Sequence, residues 1–242
     1  MLTNNEIKLI KSLSQKKFRQ KYNKFTVEGI KMVKEVIKSQ IKVHRIYTTE
    51  SVFDGFEEIT DLISEKELRK ISQLVHPNTA IALCEIPEEK PIRSDGFILA
   101  LDDVRDPGNL GTIIRLADWF GTEQLICSKE TVDLYNPKVI QATMGSFLRV
   151  SINYVDLKVF FDNYSHPVLG AFMQGENIYH TDFPENSILL MGNEANGISQ
   201  KLLPYITQKI SIPKYGRNQQ TESLNVAMAT GIIMGERVSR YF

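Results

Sequence analysis

The spacing of apolar positions changes part-way along the chain. Within 28–38, Ile30, Val33, Val36 and Ile37 recur at helical intervals with lysines opposite them, which predicts an amphipathic helix. Segments 43–48 and 79–84 read as strands and 65–74 as a further helix, so residues 1–90 form a small α/β unit. The stretch from Pro87 to Pro91 is polar and bounded by prolines, which predicts a linker and a domain boundary near residue 90. Beyond it the apolar residues come in short unbroken runs at 97–101, 124–127, 148–152, 168–173, 187–191 and 209–212, as strands buried on both faces require. Helical patterns at 110–120, 138–147, 156–163 and 199–206 separate most of these runs, and a last helix extends to about Arg240. The alternation predicts an α/β domain over 95–242 built on a parallel sheet with helices on both sides. Such sheets bind ligands at the carboxyl ends of their strands, so the loops after 101, 191 and 212 are where chemistry is expected.

Composition narrows the classes. The 242 residues are 42% apolar and 24% charged with a formal net charge of zero, which excludes a disordered chain. No apolar run approaches the ~18 residues that span a bilayer, and Met1 to Lys11 lacks the continuous apolar segment of a secretory signal. Cys84 and Cys127 lie far apart with no Cys/His cluster near either, so neither a disulfide framework nor a metal site is expected and a cytoplasmic location fits. The neutral total conceals an asymmetry, because residues 1–45 hold twelve basic and three acidic side chains. Lys16, Lys17, Arg19, Lys21 and Lys24 form the densest cluster there, interleaved with Phe18, Tyr22 and Phe25. Cations among aromatic rings can neutralise phosphates and stack on unpaired bases, so RNA is the expected partner; a solvated helical face is the competing reading.

The loop after 101 runs Asp102-Asp103-Val104-Arg105-Asp106-Pro107-Gly108-Asn109, and Pro107-Gly108 is expected to turn the chain with Asn109 capping the following helix. Arg115, between Ile114 and Leu116 in that helix, requires an anion or a set of acceptors, with Asp103 or Asp118 as its structural options. After 191, Gly192 and Gly197 bracket Glu194. The Lys-Ser/Thr of a phosphate loop does not follow, and no GxGxxG occurs, which removes the main support for nucleotide hydrolysis or dinucleotide binding. The polar loop after Ile212-Pro213 leads into Ser223-Leu224-Asn225 and a helix carrying Ala227, Gly231 and Gly235 on one stripe. Two helical glycines cost roughly 1 kcal/mol each against alanine, so this stripe predicts tight packing against another backbone, a second copy of the chain included.

Together the three loops resemble the SpoU (TrmH-type) class of the SPOUT RNA ribose 2′-O-methyltransferases. The likeness is carried by Asp106-Pro107-x-Asn109-Leu110-Gly111-x-Ile113-Ile114-Arg115, by Gly192-Asn193-Glu194-x-x-Gly197-Ile198-Ser199, and by Ile210-x-Ile212-Pro213 with Ser223-Leu224-Asn225-Val226. It covers about 95–240, and residues 1–90 resemble, by composition, the ribosomal-protein L30e-like substrate-binding domain that many members carry. The resemblance implies a deep trefoil knot in the C-terminal half, a homodimer, and methyl transfer from S-adenosylmethionine to a ribose 2′-OH of rRNA or tRNA without a metal. By the same resemblance, Arg115, Asn109, Glu194, Ser223 and Asn225 match catalytic positions. Gly192, Ile212 and Leu224, with Met191 and Asn193 adjacent, match cofactor contacts, and glycine at 192 is expected to leave room for the cofactor. Guanidinium keeps its proton to above about pH 12, so stabilising a developing alkoxide or gripping RNA phosphate is physically easier for Arg115 than acting as a base. The loop through Asn218-Gln219-Gln220 is about three residues longer than in common members and is expected to be mobile without ligand. Two rivals remain: a catalytically inactive RNA-binding or ribosome-assembly protein of the same fold, and a small-molecule α/β enzyme using a nucleotide.

Overall fold

A computed structural model describes residues 2–74, 76–216 and 223–241. The chain divides into two compact units, residues 1–88 with 133–148 and residues 89–132 with 149–242.

The first unit begins with α1 (Asn4–Ser12), opened by a capping box in which Thr3 and Glu6 satisfy each other's backbone N–H groups. It continues through α2 (Lys16–Tyr22), β1 (Lys24–Glu28), α3 (Ile30–Ile37), β2 (Val43–Thr48), β3 (Thr60–Leu62), α4 (Glu65–Ile71) and β4 (Ala80–Glu85). The strands form one sheet in the order β1-β4-β2-β3. Ile10, Tyr47, Leu68, Ile71 and Ile81 pack into a core of this unit, each fully buried aliphatic side chain contributing about 2 kcal/mol. The helix expected over 28–38 starts later, because Glu28 closes β1 and Gly29, at φ 104°, turns the chain into α3.

The second unit contains β5 (Phe97–Leu101), α5 (Pro107–Trp119) and β6 (Gln124–Ser128). The chain then supplies α6 (Pro137–Thr143), which lies in the segment grouped with the first unit, before returning as β7 (Ser151–Val155). It continues through α7 (Leu157–Asp162), β8 (Val168–Asn177), β9 (Ser187–Met191), β10 (Gln208–Ser211) and α8 (Val226–Ser239). Six strands form a sheet in the order β10-β8-β9-β5-β6-β7, every neighbouring pair parallel. Its strands β9 and β6 are buried along their whole length, which is why their sequences do not alternate.

Three expectations shift, and one goes untested. The strand foreseen over 148–152 is β7, set later because Leu148 ends a short 3-10 turn and Val150 is buried in the connection. The segment 199–206 forms a 3-10 helix over Gln200–Tyr205, where Pro204 cannot donate to an α-helical ladder. The helix over 138–147 stops at Thr143, since Met144 at φ 51° and Gly145 at φ 94° leave the helical region. The lengthened loop at Asn218, Gln219 and Gln220 lies outside the described residues.

The small-residue stripe of α8 finds its partner within the chain. A Cβ on Gly231 would stand 3.3 Å from both terminal carbons of Leu116, closer than ordinary contact, whereas one on Gly235 would meet Phe120 at an ordinary 3.7 Å, so it is Gly231 that lets α8 settle onto α5. What it approaches is side chain rather than backbone.

Arg19 departs most from expectation. Instead of facing solvent with its lysine neighbours it is 3% exposed and ion-paired to Asp133. Its Nε donates to Asp133 at 2.9 Å, and its Nη1 donates to the carbonyls of Leu13 and Ser14 at 2.8 and 3.0 Å. A planar fork of donors suits this task and a lysine would not fill it. Because a buried charge left without its partner is costly, Arg19→Ala should lower stability by about 3 kcal/mol and Arg19→Lys should recover only part of that loss. Denaturant midpoints of the full-length variants measure both.

Candidate functional site

The loops after β5 and β9 and the start of α8 are joined by one chain of side-chain hydrogen bonds. Its geometry begins at the first turn of α5. Asp106, not Asn109, is the N-cap: its carboxylate accepts the Asn109 backbone N–H at 2.8 Å, and Pro107 occupies the first helical position, where no N–H is needed. The Pro107-Gly108 pair is therefore the first turn of the helix rather than a separate turn. With the capping done by Asp106, the Asn109 side chain is released for other contacts.

Asn225 is itself a cap. Its Oδ1 accepts the backbone N–H groups of Ala227 at 2.9 Å and Met228 at 3.2 Å, so its amide NH2 must face the other way. It donates from Nδ2 to Asn109 Oδ1 at 2.8 Å. That fixes the second amide as well, and Asn109 Nδ2 donates to Glu194 Oε1 at 2.9 Å. Two amides that could each have been placed either way round are thus oriented by a helix terminus at one end and a carboxylate at the other. Glu194 also lies 3.4 and 3.5 Å from the backbone N–H groups of Asp106 and Arg105.

The loop that carries Glu194 is held from two sides. Asn193 and Gly197 pair in an isolated bridge, and Asn193 Nδ2 donates to the Asp103 carbonyl at 2.7 Å. Asp102, 2% exposed at the end of β5, accepts the Ser199 N–H at 2.7 Å. Asp103 sits in the left-handed region at φ 59°, with its N–H donating to Ser128 Oγ at 2.9 Å. Its carboxylate takes the Arg105 side chain at 2.7 Å and raises that guanidinium above its ordinary value.

The expected site residues therefore fall into distinct groups. Asn109, Glu194 and Asn225 are brought into contact, and Glu194 holds Asn109 rather than Arg115. Arg115 is exposed on α5, and its two candidate carboxylates are occupied, Asp103 by Arg105 and Asp118 by Arg149. Ser223 is exposed beside Leu224, which is 49% exposed. Met191 and Gly192 are buried at the end of β9, Asn193 is half-buried, and Ile212 is half-buried just beyond β10. Glycine at 192 has a reason within its own loop, beside the one expected. An added Cβ would stand 2.3 Å from the Gly197 carbonyl carbon and the Ile198 nitrogen, so the residue lets its own loop close back over β9. In the first unit Lys16, Lys17 and Lys21 are exposed and Lys24 is half-buried, while Arg19 has turned inward. Sequence reasoning named Asp103 only as an option for Arg115 and Asp106 only within the motif, and gave Asp102 no role, although three acids spaced around Val104-Arg105 directly after a buried strand were a visible signal.

Met191 and Ile198 are buried, Ile212 is half-buried and Leu224 is exposed, and residues 212–216 belong to no helix or strand. Among the described residues no group of His, Cys, Asp and Glu is placed to hold a metal ion, and no helix is long and apolar enough to cross a membrane.

Comparison with known proteins agrees across nearly the whole chain. The SpoU rRNA Methylase family matches residues 96–235, and an MRM3-like substrate binding domain matches residues 4–82. The chain is 32% identical over 240 residues to the 23S rRNA (guanosine(2553)-2′-O)-methyltransferase RlmP of Bacillus subtilis, covering 96% of this chain and 95% of that protein. It superposes on a TrmH-family RNA methyltransferase from Porphyromonas gingivalis with TM-score 0.86 and 34% identity, covering 99% of each chain. An AdoMet-bound rRNA methyltransferase from Sinorhizobium meliloti matches with TM-score 0.86 and 30% identity, covering 100% of this chain and 97% of the other.

The amide chain makes a directional prediction. Asn109→Asp replaces the donor facing Glu194 by a second carboxylate, and two facing carboxylates hold a proton more tightly folded than unfolded. Stability that depends on that proton is present at low pH and is lost as pH rises through the carboxylate range. The Asp variant should match Asn109→Ala near pH 4 and fall below it by on the order of 1–2 kcal/mol at pH 7, as thermal melts at the two pH values will register.

Proposed function

The chain belongs to the SpoU rRNA methylase family, and from that premise we propose that this S-adenosylmethionine-dependent RNA 2′-O-methyltransferase acts on a ribose of 23S rRNA. The observation that carries the site assignment is the oriented chain Asn225–Asn109–Glu194, which ties the loops after two parallel strands to the helix that follows a third. The 23S rRNA assignment draws on the B. subtilis relative, matched from end to end.

Bound S-adenosylmethionine supplies an already activated sulfonium methyl group. The residues of this chain provide position and charge. Met191, Gly192, Asn193, Ile212 and Leu224 lie at the ends of β9 and β10 and at the approach to α8, and we assign the cofactor to them, held by apolar contact and main-chain groups. Arg115 has its carboxylate options taken by other arginines, which leaves its donors for an incoming phosphate or for the oxygen that gains charge as the 2′-OH is methylated. Asn109 and Asn225 position rather than react, since the oxygen of each is already accepting and one N–H of each is already donating. Ser223, exposed at the start of the segment, is placed to orient the ribose.

The same proposal gives the C-terminal segment a threaded, knotted path. That reading is supported by β10 lying at one edge of the sheet beside β8 while α8 packs on α5 and its cap, Asn225, is bonded to Asn109 of that helix. The first unit, a four-stranded sheet with helices and a basic surface, is the RNA-binding domain, L30e-like in kind, with Lys16, Lys17, Lys21 and Lys24 as its phosphate contacts and the catalytic domain following from about residue 95. A cytoplasmic location follows from a ribosomal substrate together with two free, buried cysteines. The chain works as a homodimer: Trp119, 84% exposed on α5, and Met228, 62% exposed on α8, offer apolar surface that a second copy covers.

Ribose-methylation mapping of total RNA, with and without the protein, should reveal one 2′-O-methyl site in 23S rRNA that depends on it; a dependent site only in tRNA would overturn the substrate assignment. Arg115→Ala should lower methyl transfer about a hundredfold or more while leaving calorimetric cofactor affinity within a few fold, and normal turnover would remove Arg115 from the mechanism. Trp119→Glu should shift the sedimentation coefficient from dimer toward monomer.

A further inference from the structure

Helix α2 is built inside out. Of its seven residues only Arg19 is buried, while Phe18 is half-buried and Tyr22 is 40% exposed. An ordinary surface helix buries its rings and exposes its guanidinium. Here the bonds from Arg19 to Asp133 and to the carbonyls of Leu13 and Ser14 fix the reverse orientation and keep the aromatic side outward. Phe18 and Tyr22, one turn apart, lie with ring planes 13° from parallel and centroids 6.3 Å apart. The Lys17 ammonium lies 4.9 Å from the Phe18 centroid, and that of Lys21 lies 5.4 Å from the Tyr22 centroid.

The chemistry around the rings selects the occupant. No acidic residue occurs between Glu6 and Glu28, so the outward surface of α2 offers a polyanion cations and planar rings together. An apolar protein partner would meet ammonium groups at both rings. A duplex keeps its base faces covered, and only an unpaired nucleotide presents a flat face and a phosphate at the same place. We propose that α2 is a stacking platform for an unpaired base of the RNA substrate, with Phe18 and Tyr22 meeting the base and Lys17 and Lys21 meeting the flanking phosphates. This rests on the reading that the protein acts on RNA and adds what its first unit recognises: a single-stranded element rather than a helix.

The test uses full-length protein carrying Phe18→Leu with Tyr22→Leu, which keeps apolar bulk and removes the flat faces. Fluorescence anisotropy is measured with a labelled oligouridylate and with a duplex RNA of equal length, over a range of salt. Loss of base stacking should weaken oligouridylate binding about tenfold or more and leave duplex binding and both salt slopes unchanged. Lys17→Gln with Lys21→Gln should instead flatten the oligouridylate salt slope by about 0.7 for each phosphate no longer neutralised. Melting temperatures equal to that of the parent establish that the ring variants are folded. Oligouridylate affinity equal to the parent's, or equal losses on duplex and single strand, would overturn the platform. Methyl transfer by the parent protein to 23S rRNA, assayed alongside, separates the two readings: transfer with ring-independent binding removes the platform alone, and no transfer to any RNA removes the functional reading beneath it.

Discussion

Asn225 can face only one way. Its oxygen is occupied by the first turn of α8, so its NH2 points at Asn109, and the orientation of every polar group back to Glu194 follows from that. The arrangement is economical in charge, since one carboxylate terminates a line of neutral amides and no second ionised group is needed to hold three loops. A network of this kind is strong when each member is satisfied and costly when one is reversed. The ends of the sheet's central strands are thereby held together by this line of amides, and Arg115 is exposed farther along the helix that carries Asn109.

The helix α5 shows how local rules combine to that end. Asp106 satisfies the first turn, Pro107 occupies the position where its missing N–H does no harm, and the next side chain able to hydrogen-bond, Asn109, is spared for the site. Farther along, Leu116 receives Gly231 of α8, so the helix that supplies Asn225 is seated by close packing on the helix that supplies Asn109. Positional accuracy at the amide contact comes from this seat as much as from the hydrogen bond itself.

Much of the second unit is legible because buried parallel strands write themselves as unbroken apolar runs, and β5, β6 and β9 fall where those runs lie. Legibility fails where the deciding partner is remote in sequence. Arg19 sits among lysines and reads as one more surface cation, because Asp133, the group that draws it inward, is 114 positions away. Asn109 reads as a cap because Pro107-Gly108 resembles a turn, although Asp106 is the better-placed acceptor. Gly192 reads as room for a ligand, and the backbone of its own loop five residues on, which a side chain would also meet, is not visible in the sequence. The short helices α1 and α2 are hidden because dense charge masks a weak apolar period.

The segment 133–148 carries a consequence for how such a protein can change. It leaves the second unit after β6, lays Tyr135 and Phe147 against Phe25 and Asp133 against Arg19, and then returns to begin β7. The first unit is consequently completed by sequence encoded in the middle of the second. Cutting the gene near residue 90 and joining a foreign leading domain would strip those aromatic and ionic contacts from one half and leave an orphaned excursion in the other. Exchanging the leading domain at that point would therefore require residues 133–148 to be rebuilt along with it.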